Sequence, residues 1–101
     1  MFKKESRYIT RGANEKLDLR LQLVLWSLID RLKEEGKELD YLQVFKVSKY
    51  ENRIKVEHSQ EIPKYKEIYI IDLDCMDINE SIKIFIIDDE KYSTMMLSEE
   101  Y

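Results

Sequence analysis

A change of period at Gly36 constrains this chain more than any other feature. Ahead of it, apolar residues recur at helical spacing; beyond it they alternate, in short runs separated by polar turns. Across residues 17–35, Leu17, Leu21, Val24, Leu25, Leu28 and Leu32 fall on one face of a helix. Asp18 is placed to cap its start, Gly36 to end it in the left-handed conformation, and Lys33 to meet the negative end of its dipole. A second set, Leu19, Leu23 and Trp26, lies roughly opposite the first and leaves only Arg20, Ser27, Arg31 and Glu34 as a continuous polar wedge. A helix apolar on two sides is covered on two sides, by its own chain or by a partner, so Leu19, Leu23 and Trp26 are candidates for protein binding.

Beyond Gly36 the alternation predicts strands over residues 41–48 and 53–59, joined as an antiparallel hairpin across Lys49 to Asn52. A break at Glu61-Ile62-Pro63-Lys64 leads to a strand over residues 65–73, then to a turn-rich connector or single helical turn from Asp74 to Glu80. A second hairpin, residues 82–87 and 92–97, turns at Asp88-Asp89-Glu90-Lys91, and the tail after Leu97 is expected to fray. Ahead of the helix, residues 7–10 read as a short strand closed by a turn at Arg11-Gly12-Ala13-Asn14. Short connections favour antiparallel neighbours. The expected fold is therefore α+β, one amphipathic helix packed on a mostly antiparallel sheet of five or six strands, with residues 1–101 as a single domain.

Two runs, Ile68-Tyr69-Ile70-Ile71 and Ile84-Phe85-Ile86-Ile87, carry apolar residues at consecutive positions and so on both faces of their strands. One helix covers one face. Either the sheet curls on itself, or a twofold homodimer buries the remaining face or the Trp26 side of the helix.

Composition narrows the function classes. Of 101 residues, 44% are hydrophobic and 38% charged, enough apolar side chain for a core and too little polar bias for disorder. The single Cys75 cannot form an intramolecular disulfide, and no apolar run approaches the roughly 18 residues of a membrane span. A cytoplasmic protein without a membrane anchor is expected. Charge is lopsided along the chain: residues 1–66 hold fifteen Lys/Arg against eleven Asp/Glu, a net +4, and residues 67–101 hold two against ten, a net −8. The acidic last third suits a basic protein partner, with Asp88, Asp89 and Glu90 as its candidate contacts, and argues against nucleic acid despite Lys3, Lys4, Arg7 and Arg11 near the start.

The chemistry-bearing residues are sparse. Asp72-Leu73-Asp74, with Asp77 nearby, places carboxylates at the end of an apolar strand, where hard oxygen ligands hold divalent cations in hydrolases. The spacing does not fit a calcium loop, because Asp77 stands where the glycine belongs. His58 is the only imidazole and shares a strand face with Ile54 and Val56, which reads as a hydrogen-bonded or surface histidine rather than a general base. Asp74 and Asp77 flank Cys75 and would raise its thiol pKa, and two glycines build no phosphate-cradling loop. The sequence thus points to a small protein-binding or regulatory module with no cofactor; the alternative is a metal-assisted hydrolase using Asp72, Asp74 and Asp77.

The stretch Arg7-Tyr8-Ile9-Thr10-Arg11-Gly12, followed by LRLQLVLWSLID from Leu19 to Asp30 and by Leu39-Asp40-Tyr41-Leu42-Gln43-Val44-Phe45, resembles a small family of staphylococci, other low-GC Gram-positive bacteria and their phages. That family is classified as a domain of unknown function, and the resemblance covers nearly the whole chain. It implies a bacterial or phage-like cytoplasmic setting and brings with it no activity, cofactor or catalytic residue.

Overall fold

Leu17 does not open the long helix; it ends a shorter one. In the computed structural model, which describes residues 1–73, 78 and 80–101, strand β1 (Arg7–Ile9) runs into helix α1 (Arg11–Lys16), and Leu17 closes α1 with its N–H on the Ala13 carbonyl at 2.9 Å. The turn expected at Arg11 to Asn14 is thus a helix, started by Thr10, whose side chain accepts from the Ala13 N–H at 3.1 Å. The principal helix α2 (Leu19–Glu34) begins two residues later than its apolar spacing suggests. Asp18 caps it by accepting from the Arg20 N–H at 2.8 Å, and the Arg20 hydrogen bonds hold that carboxyl below its ordinary value. At its other end Gly36 takes φ 74°, with Lys37 N–H on the Leu32 carbonyl and Gly36 N–H on the Lys33 carbonyl, both at 3.0 Å, the Schellman closure expected of glycine there.

Strands β2 (Leu42–Tyr50) and β3 (Arg53–Gln60) form the first hairpin through the two-residue turn Glu51-Asn52, tighter than the four residues the alternation allowed. Strand β4 (Tyr65–Ile71) pairs antiparallel with β3 and stops at Ile71, where the Leu73 N–H turns back onto the Ile71 carbonyl. Of the connector that follows, residues 74–77 and 79 lie outside the described residues, while Ile78 is buried in the core. Strands β5 (Ile82–Asp88) and β6 (Ser93–Leu97) form the second hairpin. The sheet order is β1-β6-β5-β2-β3-β4, antiparallel throughout except that β1 runs parallel to β6, so the two ends of the chain meet at one edge and β4 forms the other. The expected α+β architecture is the one observed. The tail, however, is tied down. Residues Ser98–Glu100 make a 3-10 turn whose Glu100 carboxylate accepts from Thr10 Oγ1 at 2.7 Å and the Leu97 N–H at 2.8 Å, and these bonds hold it below its ordinary value.

From α2, Leu21, Leu25, Leu28 and Ile29 pack over the sheet residues that alternate onto the same side: Phe45, Val47, Ile54, Val56, Ile84, Ile86, Met95 and Leu97. Each such side chain contributes roughly 1.5–3 kcal/mol by leaving water. Ala13 and Leu17 join this core, and so does Phe2, fully buried at φ 53°, a backbone conformation that costs a non-glycine residue free energy. Phe2 is held there from both sides. Its N–H donates to Asp88 Oδ1 at 3.2 Å, and its carbonyl accepts from Arg7 Nε at 3.2 Å and Nη2 at 2.7 Å. Phe2→Ala should lower the free energy of unfolding by about 3–5 kcal/mol. Leu19→Ala, on the open side of α2, should change it by under about 0.5 kcal/mol. Urea midpoints of the two variants check both; equal shifts would show that Phe2 does not plug the core.

Candidate functional site

Strand alternation sorts the second face of the sheet into rows. Tyr8, Thr94, Ile87 and Leu42 lie side by side in one, and Met96, Phe85, Val44, Ser59 and Lys66 in the next. Lys83, Lys46, Glu57 and Ile68 make a third row, and Ser48, Lys55 and Ile70 a fourth. The face is therefore apolar across β1, β6, β5 and β2 at one end and charged at the other, and none of Leu42, Val44, Phe85, Ile87 or Met96 is buried. Exposed tyrosines gather around this apolar half. Tyr8 meets Tyr92 edge to face with ring centres 5.4 Å apart, and Tyr101 meets Phe85 in the same way at 5.6 Å. The neighbouring Tyr101 phenol, with burial, raises the Tyr41 phenol above its ordinary pKa. Lys83 Nζ stands 5.7 Å from the centre of the Phe85 ring.

The helix residues singled out in the sequence separate in the structure. Leu19 and Leu23 are 66% and 60% exposed, but Trp26 is half-buried against the core with the Arg7 guanidinium 4.7 Å above its ring. Arg7 in turn forms two hydrogen bonds to the carboxylate of Asp30. Desolvation raises the Asp30 carboxyl; the Arg7 hydrogen bonds and charge more than offset it and hold it below its ordinary value.

The acidic trio separates as well. Asp88 points inward and holds the Phe2 N–H, and Asp89 accepts from the N–H groups of Lys91 and Tyr92 at 3.1 and 3.0 Å. Glu90, at φ 81°, and Asp89 are exposed beside Tyr92. Asp72 is exposed at the end of β4, while Asp74, Cys75 and Asp77 lie outside the described residues. Among the described residues no group of three His, Cys, Asp or Glu side chains is placed to hold a metal ion.

His58 is fully buried, stacked on Phe45 with ring centres 4.3 Å apart and met edge-on by Tyr65. It ends a chain of amides. Gln43 Nε2 donates to the Asp40 carbonyl at 2.8 Å and to Gln60 Oε1 at 2.7 Å, and Gln60 Nε2 donates to the carbonyls of Glu38 and Pro63. With both amide protons of Gln43 used, its Oε1 can only accept, so the donor at 2.6 Å is His58 Nε2. Nδ1 is left with a lone pair and no partner among the described residues, and burial pushes the imidazole down to about 4. Beside this chain, two adjoining clefts of about 240 and 290 Å³ lie between the end of α2 and β4, sharing Leu32, Lys37 and Tyr65. Tyr65 and Tyr69 join hydroxyls there at 3.1 Å, which with burial raises the Tyr65 phenol. Arg31, Lys37 and Lys64 line the two clefts together with Glu35, Glu38 and Glu67, so the charges favour neither sign of ligand. Nothing in the sequence signals this cleft, because residues from the helix end and an edge strand have no common spacing.

No helix among the described residues is long and apolar enough to cross a membrane. The family model DUF960, described as a staphylococcal protein of unknown function, matches residues 6–100. A search of curated proteins finds no match. Among solved structures, one described as the crystal structure of a protein of unknown function from Enterococcus faecalis superposes with a TM-score of 0.83 at 25% identity, over 100% of this chain and 98% of that one.

The His58 environment makes stability depend on pH with a defined sign. Its pKa is 6.5 when unfolded and about 4 when folded, so between those values the unfolded chain takes up a proton that the folded chain refuses. Stability is full above pH 6.5 and falls as pH drops toward 4, with a loss of about 2 kcal/mol expected between pH 7 and 5. The lowered carboxyls Asp18, Asp30 and Glu100 act in a lower window, below their ordinary values of 3.8 to 4.5. Urea midpoints at pH 7, 6 and 5 should fall for the wild type and stay level for His58→Phe. A wild-type midpoint unchanged over that range would contradict a neutral buried imidazole.

Proposed function

The chain belongs to the DUF960 family of staphylococcal proteins of unknown function, and from that premise we propose that it is a small cytoplasmic protein-binding module whose docking surface is the tyrosine-rich half of the open sheet face. The observation that carries this reading is the pairing of Tyr8 with Tyr92 and of Tyr101 with Phe85 on a face whose apolar residues stay accessible. Tyrosine gives large, stiff contact area with a polar tip, which is why aromatic residues concentrate at the centres of interfaces. Such side chains, already held edge to face, lose little conformational freedom on binding. The exposed carboxylates of Asp89, Glu90 and Glu99 border this half of the face and suit a partner with an apolar centre and basic groups around it.

A photoreactive residue placed at Tyr92, and separately at Lys55 on the charged half, tests the reading in the producing bacterium. Position 92 should give one discrete adduct to a basic protein, weakened in lysate as salt is raised, and position 55 should give none. Equal adducts from both positions, none from either, or an adduct only to a second copy of this chain would each overturn it.

A further inference from the structure

Strand β4 is the edge of the sheet farthest from the chain ends, seven residues long, and no strand pairs with its outer side among the described residues. Edges of this kind are normally shortened, bulged, covered or studded with lysine, because a free row of backbone N–H and C=O groups recruits another strand. The opposite edge is protected: β1 has three residues, and the basic segment Lys3 to Arg11 surrounds it. Strand β4 has one lysine, no proline and, among the described residues, no such cover. It also presents Ile68 and Ile70, 49% and 42% exposed, on the open face.

We propose that two copies of this chain pair antiparallel along β4 about a twofold axis through Tyr69, joining their sheets into one. Charge selects the register. In a twofold antiparallel pair, opposed residues must share a sheet face, so the axis passes through a single residue. Centred on Glu67, the pairing opposes two like charges. Centred on Ile68, it sets Lys66 against Ile70 and Glu67 against Tyr69, and its one opposite-charge pair, Lys64 with Asp72, draws its lysine from the turn that precedes β4 rather than from the strand.

Centred on Tyr69, it sets Ile68 against Ile70 twice, closing four isoleucines over each other, and brings Lys66 of each copy to the exposed Asp72 just past the end of the other strand. Lys66 lies 3.8 Å from Glu57 within its own chain and is 60% exposed, so its ammonium can bridge that carboxylate and the incoming one. The contact runs along the edge and leaves the tyrosine-rich half of the face free. It therefore stands or falls separately from the binding role proposed above.

Sedimentation of the full chain at tens of micromolar should show a species of twice the 12.3 kDa chain mass. Lys66→Glu or Asp72→Lys alone should weaken the dimer about tenfold by setting like charges opposite at both ends, and the double exchange should restore it. Because residue 69 meets itself across the axis, Tyr69→Cys in a Cys75→Ser background should form an interchain disulfide under mild oxidant, and Ile68→Cys should not. Lys66 and Asp72 are exposed, so at dilutions where the wild type is itself monomeric Asp72→Lys should keep its thermal midpoint, and Lys66→Glu, which faces Glu57 in its own chain, should fall below it by no more than a few degrees. A 12.3 kDa monomer throughout would overturn the proposal. So would a dimer that ignores both charge exchanges, or one that Phe85→Glu on the open face dissociates in their place.

Discussion

The guanidinium of Arg7 is the contact on which the rest of this architecture depends. It projects from the shortest strand, opposite Ser93 in the single parallel pairing among the described residues, and meets two other segments at once, the helix α2 and the chain's first residues. Asp30 on α2 accepts from it twice, the Phe2 carbonyl accepts from two of its nitrogens, and Trp26 lies flat beneath it. Only a planar fork with five donors satisfies that geometry; an ammonium in its place would leave acceptors unpaired. A three-residue strand has too few ladder bonds to hold an edge unaided. Through Arg7, β1 is fastened to the helix layer, and Phe2 is fixed in the core despite its left-handed backbone.

A second device orders the opposite end of the molecule. The amides of Gln43 and Gln60 link His58 inside the sheet to the carbonyls of Asp40, Glu38 and Pro63 in the loops on either side of the first hairpin. Buried amides cost solvation free energy, and they are tolerated because every amide proton of the pair finds a carbonyl. Gln43 Oε1 in turn takes the His58 Nε2 proton, which the ring carries in either protonation state; a second proton would sit on Nδ1, buried with no acceptor among the described residues, and that burial disfavours the charged ring. The helix layer stops short of this region. Tyr65 and Tyr69 on β4 are only half-buried, and the cleft they line with Leu32 and Lys37 follows from a six-stranded sheet carrying one long helix.

Much of this was legible in the residues and some was not, for physical reasons. Helix α2 announced itself because its burial is one-sided and its period regular, and both hairpins because their turns interrupt clean alternation. Helix α1 did not, since RGANEK contributes a single buried residue, Ala13, and owes its existence to the Thr10 cap and to Gln22, whose amide ties Asn14 to Leu17. Trp26 read as outward-facing from helical spacing alone, because spacing cannot show that an arginine from a remote strand lies over it. Asp88 read as surface acid because a tip of three carboxylates looks uniformly solvated, whereas strand alternation turns the first of them toward Phe2. The doubly apolar runs did forecast apolar residues on both faces of the sheet, but the position of β4 at the edge is set by a connection from β4 to β5 that skips two strands. No local signal encodes that.

Topology also changes what the charge pattern means. Along the chain, positive and negative charge are segregated, +4 ahead of residue 67 and −8 from there on. In space they are interleaved. The parallel pairing lays β1, with Lys3, Lys4, Arg7 and Arg11 around it, directly beside β6, and inserts β5 between β6 and β2, which carries Lys46 and Lys49. A field built from a contiguous acidic third would reach a partner across a Debye length of about 8 Å at physiological salt. Interleaved strands of opposite sign cancel much of that reach, and the acidic character survives at the rim, in Asp89 and Glu90 at the hairpin tip and Glu99 in the final turn. On a face of this kind electrostatics would act at contact range, so that the proposed partner would be seated around the tyrosines by its charges more than drawn to them from a distance.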